Sequence, residues 1–144
     1  MATFEVHKVE SDRALHAAYL VMRELRPHLT DAENFITRVH RQAEKGYCLL
    51  GVWQEQELLA LAGYRISENL LYGRFLYVDD LVTAPHARSL GLGAILIDAL
   101  GEEARAQTCT HLVLDTSLGN ALGQRFYYRQ GLLAVGMHFR QSLI

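Results

Sequence analysis

Cysteine is scarce. The 144 residues contain only Cys48 and Cys109, in no metal-binding or redox spacing. Both are expected to be free thiols acting as small core hydrophobes in a reducing cytoplasm. A charge excess of one sign is also missing. The net charge of -2 and a pI near 6.4 leave no basic field for nucleic acid or anionic lipid. No apolar run approaches the roughly 20 residues of a membrane span. The start, Met1-Ala2-Thr3-Phe4-Glu5-Val6, lacks the charged-then-apolar pattern of an export signal, so a cytoplasmic location is expected. The seven histidines are scattered without ligand spacing, and no metal is expected. No repeat, low-complexity stretch or linker interrupts the chain. What remains is a half-hydrophobic sequence long enough for one full core, read as a single domain over residues 1–144.

The most informative stretch runs from Phe75 to Ala106. Phe75–Thr83 reads as a buried strand and Ala84–Gly93 as a loop. A helix follows, with Leu92, Ile95, Leu96, Ala99 and Leu100 on one face at the i, i+3, i+4, i+7, i+8 spacing. A strand that feeds a glycine-containing turn into a helix start makes an anion site, because the first helical N–H groups lack internal partners and face the positive end of the dipole. Gly91 and Gly93 let a phosphate approach the backbone, and Arg88 adds a planar donor fork. A pyrophosphate is therefore expected on the stretch Arg88, Ser89, Leu90, Gly91, Leu92, Gly93, Ala94. Read blandly, the same residues are a plain helix start with flexible glycines.

Two nucleotide-binding patterns are excluded. G-x-G-x-x-G would need a third glycine where Leu96 stands, and no G-K-S or G-K-T occurs. The string R-S-L-G-L-G instead resembles the acetyl-CoA loop of the GCN5-related N-acetyltransferases (GNAT): Arg or Gln, two residues, Gly, one residue, then Gly or Ala. Pro85 stands where that family usually has a proline. Further on, His111–Thr116 reads as a strand. The segment from Asn120 through Tyr127 to Gly131 resembles the family's last motif, with Gly123 and Leu132 as mild size departures. The resemblance covers roughly residues 71–139 well and the first 70 only as an order of elements.

The remaining elements follow in chain order. Thr3–Val9 alternates, with Phe4 and Val6 on one face, as an edge-like strand. Ser11 caps a helix with the stripe Leu15, Ala18, Tyr19, Met22, Leu25, stopped by Pro27. Thr30-Asp31-Ala32-Glu33 is a capping-box pattern opening a second helix with Phe35, Ile36 and Val39 inward, ended by Gly46. Tyr47–Trp53 and Leu58–Ile66 form a hairpin around Gln54-Glu55-Gln56-Glu57, without the Asn-Gly signal. Leu133–Phe139 reads as a last strand. The order β-α-α-β-β-β-α-β-α-β implies an α/β fold: a mixed, strongly twisted central sheet with helices on both faces. The resemblance implies that this is the acyl-CoA N-acyltransferase fold.

Asp79 and Asp80 sit side by side in an otherwise apolar strand. Period two sends them to opposite faces, and a carboxylate there is costly unless paired or used. The resemblance implies several roles. An acidic residue here orients the acceptor amine or takes its proton through water. The backbone of Leu81, Val82 and Thr83 holds pantetheine, with Val82 polarising the thioester carbonyl. Asn120 and Tyr127 belong to the cofactor site, and Tyr127 donates to the leaving thiolate. Residues Arg23 to Phe35 wall the acceptor pocket. No cysteine falls in the motifs, so attack is direct, in a ternary complex with acetyl-CoA as cosubstrate. The expected partner is a small-molecule amine. A protein or peptide acetyltransferase and a non-catalytic acyl-CoA-binding regulatory module are the alternatives. A homodimer is expected, because small proteins of this family often pair through the C-terminal half of the sheet and 133–144 ends in apolar residues.

Overall fold

The computed structural model describes residues 3–144. The elements run β1 (Glu5–Lys8), α1 (Asp12–Leu25), α2 (Ala32–Ala43), β2 (Cys48–Gln54), β3 (Glu57–Asn69), β4 (Gly73–Thr83), a 3-10 turn at Pro85–Ala87, α3 (Leu92–Ala106), β5 (His111–Leu114) and α4 (Ala121–Arg129). The strands form one five-stranded sheet in chain order, with β1, as expected, at an edge. β1 through β4 are joined antiparallel. Leu59, Ala60, Leu61 and Ala62 of β3 are all buried, so both faces of the central strand are covered. α1 and α3 both pack against β3 and β4. The chain divides into two compact units, the first ending at Val113 and the second running from Leu114 to Ile144.

In the first unit, local chemistry sets the helix ends. The Ser11 hydroxyl accepts from Ala14 N–H at 3.1 Å and opens α1. Leu15, Ala18, Tyr19 and Met22 are buried as the stripe requires, while Leu25 is half-buried. α2 is capped by Asp31, not by Thr30: the Asp31 carboxylate accepts from Glu33 N–H at 2.8 Å and Asn34 N–H at 3.4 Å. A capping-box string holds two candidate oxygens, and the extended backbone at Asp31 puts its carboxylate over the free donors. The β2–β3 hairpin closes through Glu55 and Gln56 alone, with Glu55 at φ +56°. Cys48 and Cys109 are half-buried, which corrects their reading as core side chains.

β3 and β4 pair regularly except at one point. Tyr64 faces Val78 and Gly63 faces Asp80, so Asp79 is an extra residue on β4, a β-bulge. This is the feature on which the site turns.

In the second unit, Asn120 caps α4 by accepting from Gly123 N–H at 3.1 Å. Gly131 follows its end, with Leu132 N–H bonded to Tyr127 O at 3.0 Å. Residues 132–144 contain no strand, although Leu133–Phe139 alternates like one. Leu133, Val135, Met137 and Phe139 are instead 67–83% exposed. Alternation supplies a two-faced strip, but a strand exists only where a neighbour completes its ladder. Leu122 is exposed and Phe126 is half-buried.

Candidate active site

The loop from Ala84 leads into α3 through a 3-10 turn. After the 3-10 turn, Arg88 is extended, Ser89 takes φ +68° and Gly91 takes φ +78°. Gly91 is the N-cap of α3, and no side chain caps that helix. Its first closing bond runs from Ile95 N–H to Gly91 O at 3.3 Å. The N–H groups of Leu92, Gly93 and Ala94 thus stand at the free positions of a helix start. A Cβ added at Gly91 would meet nothing within 4 Å, so open space lies over the turn. Arg88 is exposed and has no ion-pair partner among the described residues. Backbone donors, a positive helix end and an uncommitted guanidinium fit a diphosphate.

Upstream of the loop, Leu81, Val82 and Thr83 pair with Ala62, Leu61 and Ala60 on one edge. β5 has only four residues and starts beside Arg74, where Thr110 N–H bonds Arg74 O at 2.8 Å. At about 3.3 Å per residue, β5 is too short to run alongside Leu81–Thr83. Among the described residues, that half of β4 has a strand on one side only.

The two aspartates do not diverge to opposite faces. Both line one cavity of about 330 Å³, together with Met22 and Arg26 of the α1 end, Phe35 and Arg38 of α2, and Tyr47. The bulge is the physical reason: one extra residue breaks the period-two alternation and re-aims its neighbours. Asp80 is the more enclosed. Its Oδ1 accepts from Arg26 Nη2 at 2.9 Å and Nε at 3.0 Å, and its Oδ2 from the Tyr47 hydroxyl at 2.6 Å. Arg26 also donates to Asp79 O at 2.9 Å, tying the end of α1 to the bulge. Asp79 Oδ2 accepts from Arg65 Nε at 2.8 Å, and Arg65 donates in turn to Gln42 Oε1 at 2.9 Å. Asp79 Oδ1 has no bond among the described residues, so Asp79 keeps an open acceptor where Asp80 has none.

Burial pushes the Asp79 carboxyl above its ordinary value, against the opposing pull of Arg65. Burial, reinforced by the Asp80 charge, holds the Tyr47 phenol far above its own, so Tyr47 remains a hydrogen-bond donor. Gly63 makes the arrangement sterically possible. A Cβ there would overlap the Tyr47 hydroxyl and lie 2.6 Å from Asp80 Oδ2. Gly63→Ala is therefore expected to cost about 1–3 kcal/mol, the usual range for overpacking. The measurement is a lower urea midpoint at unchanged slope.

Tyr127 is half-buried on α4, and its neighbour Tyr128 is 56% exposed. The Tyr127 ring meets Phe126 edge-on at 5.3 Å. Its hydroxyl makes no hydrogen bond among the described residues, and burial raises its pKa. Asn120 uses its side chain on Gly123 N–H and on Thr116 Oγ1, the latter at 3.0 Å.

Arg38, Gln42, Tyr47, Gly63 and Arg65 carry no motif and were not singled out from the sequence. Two left a trace. Arg65 is a cation inside an apolar strand, as Asp79 is an anion in the next, and buried charges in adjacent strands are expected to pair. Gly63 is an interior strand glycine, which marks close approach of another group. Arg38, Gln42 and Tyr47 carry no signal.

The five-stranded sheet, the bulged strand with its acidic pocket and the open turn before α3 together fit an acyl-CoA-dependent transferase. Comparison with known proteins agrees. The family model described as Acetyltransferase (GNAT) family matches residues 12–132. An uncharacterized N-acetyltransferase of Bacillus subtilis, YhdJ, is 31% identical over 111 residues, 76% of this chain and 78% of the relative. Among solved structures, an aminoglycoside N-acetyltransferase in complex with CoA superposes with a TM-score of 0.86 at 13% identity, over 100% of this chain and 97% of that one. Glucosamine-6-phosphate N-acetyltransferase of Arabidopsis thaliana does so with a TM-score of 0.74 at 20% identity, over 99% of each chain. The chain belongs to the GNAT family of acetyl-CoA-dependent N-acetyltransferases. No described helix is long and apolar enough to cross a membrane.

Proposed function

We propose that the protein transfers the acetyl group of acetyl-CoA to a primary amine of a small molecule, by direct attack within a ternary complex. The observation that carries this reading is the cavity at the β4 bulge, with one open carboxylate oxygen on Asp79. Its volume of about 330 Å³ lies in the small-ligand range. Asp79 orients the incoming amine and takes its proton directly or through water. Asp80 anchors the bulge through Arg26 and Tyr47. Acetyl-CoA supplies the activated thioester. The backbone of Leu81–Thr83 holds the pantetheine arm, Val82 N–H polarises the carbonyl, and the Arg88–Ala94 turn holds the diphosphate. Asn120 shapes the start of α4, and Tyr127 donates to the departing thiolate. The test is release of free CoA by purified protein against a panel of small amines and lysine peptides. Faster turnover of the peptides would favour a protein acetyltransferase; acetyl-CoA binding without turnover of any amine would favour a regulatory module.

The diphosphate assignment has its own check. Gly91→Asn adds a side chain over the open turn, and Asn tolerates positive φ. Its acetyl-CoA affinity is expected to fall about tenfold or more, the loss of roughly one charge-assisted hydrogen bond, with the thermal midpoint nearly unchanged. Equal affinity in the folded variant would remove the assignment.

A homodimer joined through 133–144 belongs to the same reading, supported by the exposed Leu133, Val135, Met137 and Phe139. Light scattering at tens of micromolar, an order-of-magnitude condition for ordinary dimers, is expected to return twice the monomer mass; a monomer would count against it.

A further inference from the structure

The charges around the bulge do not cancel. Arg26 is committed to Asp80 and Arg65 to Asp79. Arg38 lines the same cavity, is half-buried, and has no ion-pair or hydrogen-bond partner among the described residues. Arg26 and Arg38 line the cavity with His28, and Arg65 meets Asp79 from outside that lining, so Arg38 is the guanidinium left over once the two carboxylates are paired. A partly buried arginine without a protein partner keeps its planar donor fork available, and the group that fork matches is an oxyanion.

The position of Arg38 is fixed by α2. Phe35, Arg38, Val39 and Gln42 follow the i, i+3, i+4, i+7 spacing, and all four line the cavity. Gln42 is the residue that holds Arg65 against Asp79. Arg38 lies four residues before it, about 6 Å along the helix axis at 1.5 Å per residue. The cavity wall therefore carries two unspent groups: an open carboxylate oxygen on Asp79 and, one turn of α2 before Gln42, a planar donor fork without a partner among the described residues.

We propose that the acceptor is an amine that also carries one oxyanion group, a carboxylate or a phosphate, bound by Arg38 while the amine meets Asp79. This deepens the small-molecule reading above and rests on it. A cationic diamine or a plain alkylamine satisfies only one of the two groups and leaves Arg38 unpaired. Arg38 acts in binding and selection and takes no part in bond making, so it governs KM and the choice among acceptors.

The test uses amines of matched chain length: butylamine, 1,4-diaminobutane, 4-aminobutyrate and 3-aminopropyl phosphate. For the wild-type enzyme, the kcat/KM ratio of an anionic acceptor to butylamine is expected to be on the order of 10- to 100-fold, the worth of a charge-assisted hydrogen bond pair. In Arg38→Gln that ratio is expected to collapse toward one, through KM rather than kcat. Comparison of the carboxylate with the phosphate acceptor tells which oxyanion is preferred. A wild-type preference for butylamine or the diamine, or an Arg38→Gln loss shared equally by all four acceptors, would overturn the proposal while leaving the acetyltransferase reading intact. Calorimetry with CoA present provides the independent arm. Arg38-dependent binding of the anionic amines without turnover would sustain the oxyanion site and overturn the catalytic reading. Absence of both preference and Arg38-dependent binding would overturn the oxyanion site.

Discussion

Tyr127→Phe is expected to lower kcat by about 10²-fold, the low end for losing a positioned acid, with acetyl-CoA affinity nearly unchanged. The ring stays and only the hydroxyl goes. In the folded chain that hydroxyl makes no hydrogen bond among the described residues, so its removal orphans no partner and gives no structural reason for a loss of rate. The direction of its pKa narrows the role. Burial raises the phenol above its ordinary value near 10, while an ordinary thiol titrates near 8.5. Full proton transfer to the thiolate is therefore uphill. In the proposed mechanism Tyr127 would stabilise the thiolate by donating a hydrogen bond as the carbon–sulfur bond breaks, which is why the expected loss sits at the low end. Tyr128 is exposed, and Tyr128→Phe is expected to change little. A full-rate Tyr127→Phe enzyme, or a larger loss in Tyr128→Phe, would overturn this role.

The sequence made the elements legible where local chemistry decides them. The Ser11 cap, the apolar stripe of α1 and the strand–turn–helix from Phe75 to Ala106 are all present because hydrogen-bond capping and periodicity act within a few residues. It failed where the outcome depends on a distant neighbour. The alternation of Leu133–Phe139 is real, but a ladder partner is not a property of the segment. The bulge at Asp79 arises from the register between β3 and β4, which no single strand encodes. For that reason period two placed the aspartates on opposite faces and missed the arginines and Tyr47 that hold them. The nearest clue was compositional: an arginine in β3, a pair of aspartates in β4 and a glycine at position 63 are each out of place alone and consistent only together.

The proposed reading gives the two aspartates different work, and substitution separates them. Asp79→Asn is expected to lower kcat/KM by 10²-fold or more, within the range for a general base. The fold should tolerate it, because the amide oxygen can still accept from Arg65. Turnover by the wild type should fall on the acid side as Asp79 takes up a proton. Since burial raises its pKa, that limb lies above the ordinary aspartate value near 3.9. In Asp79→Asn this limb should vanish and the residual rate should track the free-amine form of the acceptor. Asp80→Asn should behave differently. It leaves Arg26 without its counter-ion and exchanges a charged acceptor for a neutral one at the Tyr47 hydroxyl. Arg26 is 42% exposed, so water softens the loss; about 2 kcal/mol of stability is expected to go, the scale of a hydrogen bond to a charged group. Its rate should fall through a loosened bulge while the acid limb stays in place. The decisive measurement is a pair of pH–rate profiles beside a pair of urea titrations. An acid limb retained in Asp79→Asn, or lost only in Asp80→Asn, would exchange the two roles.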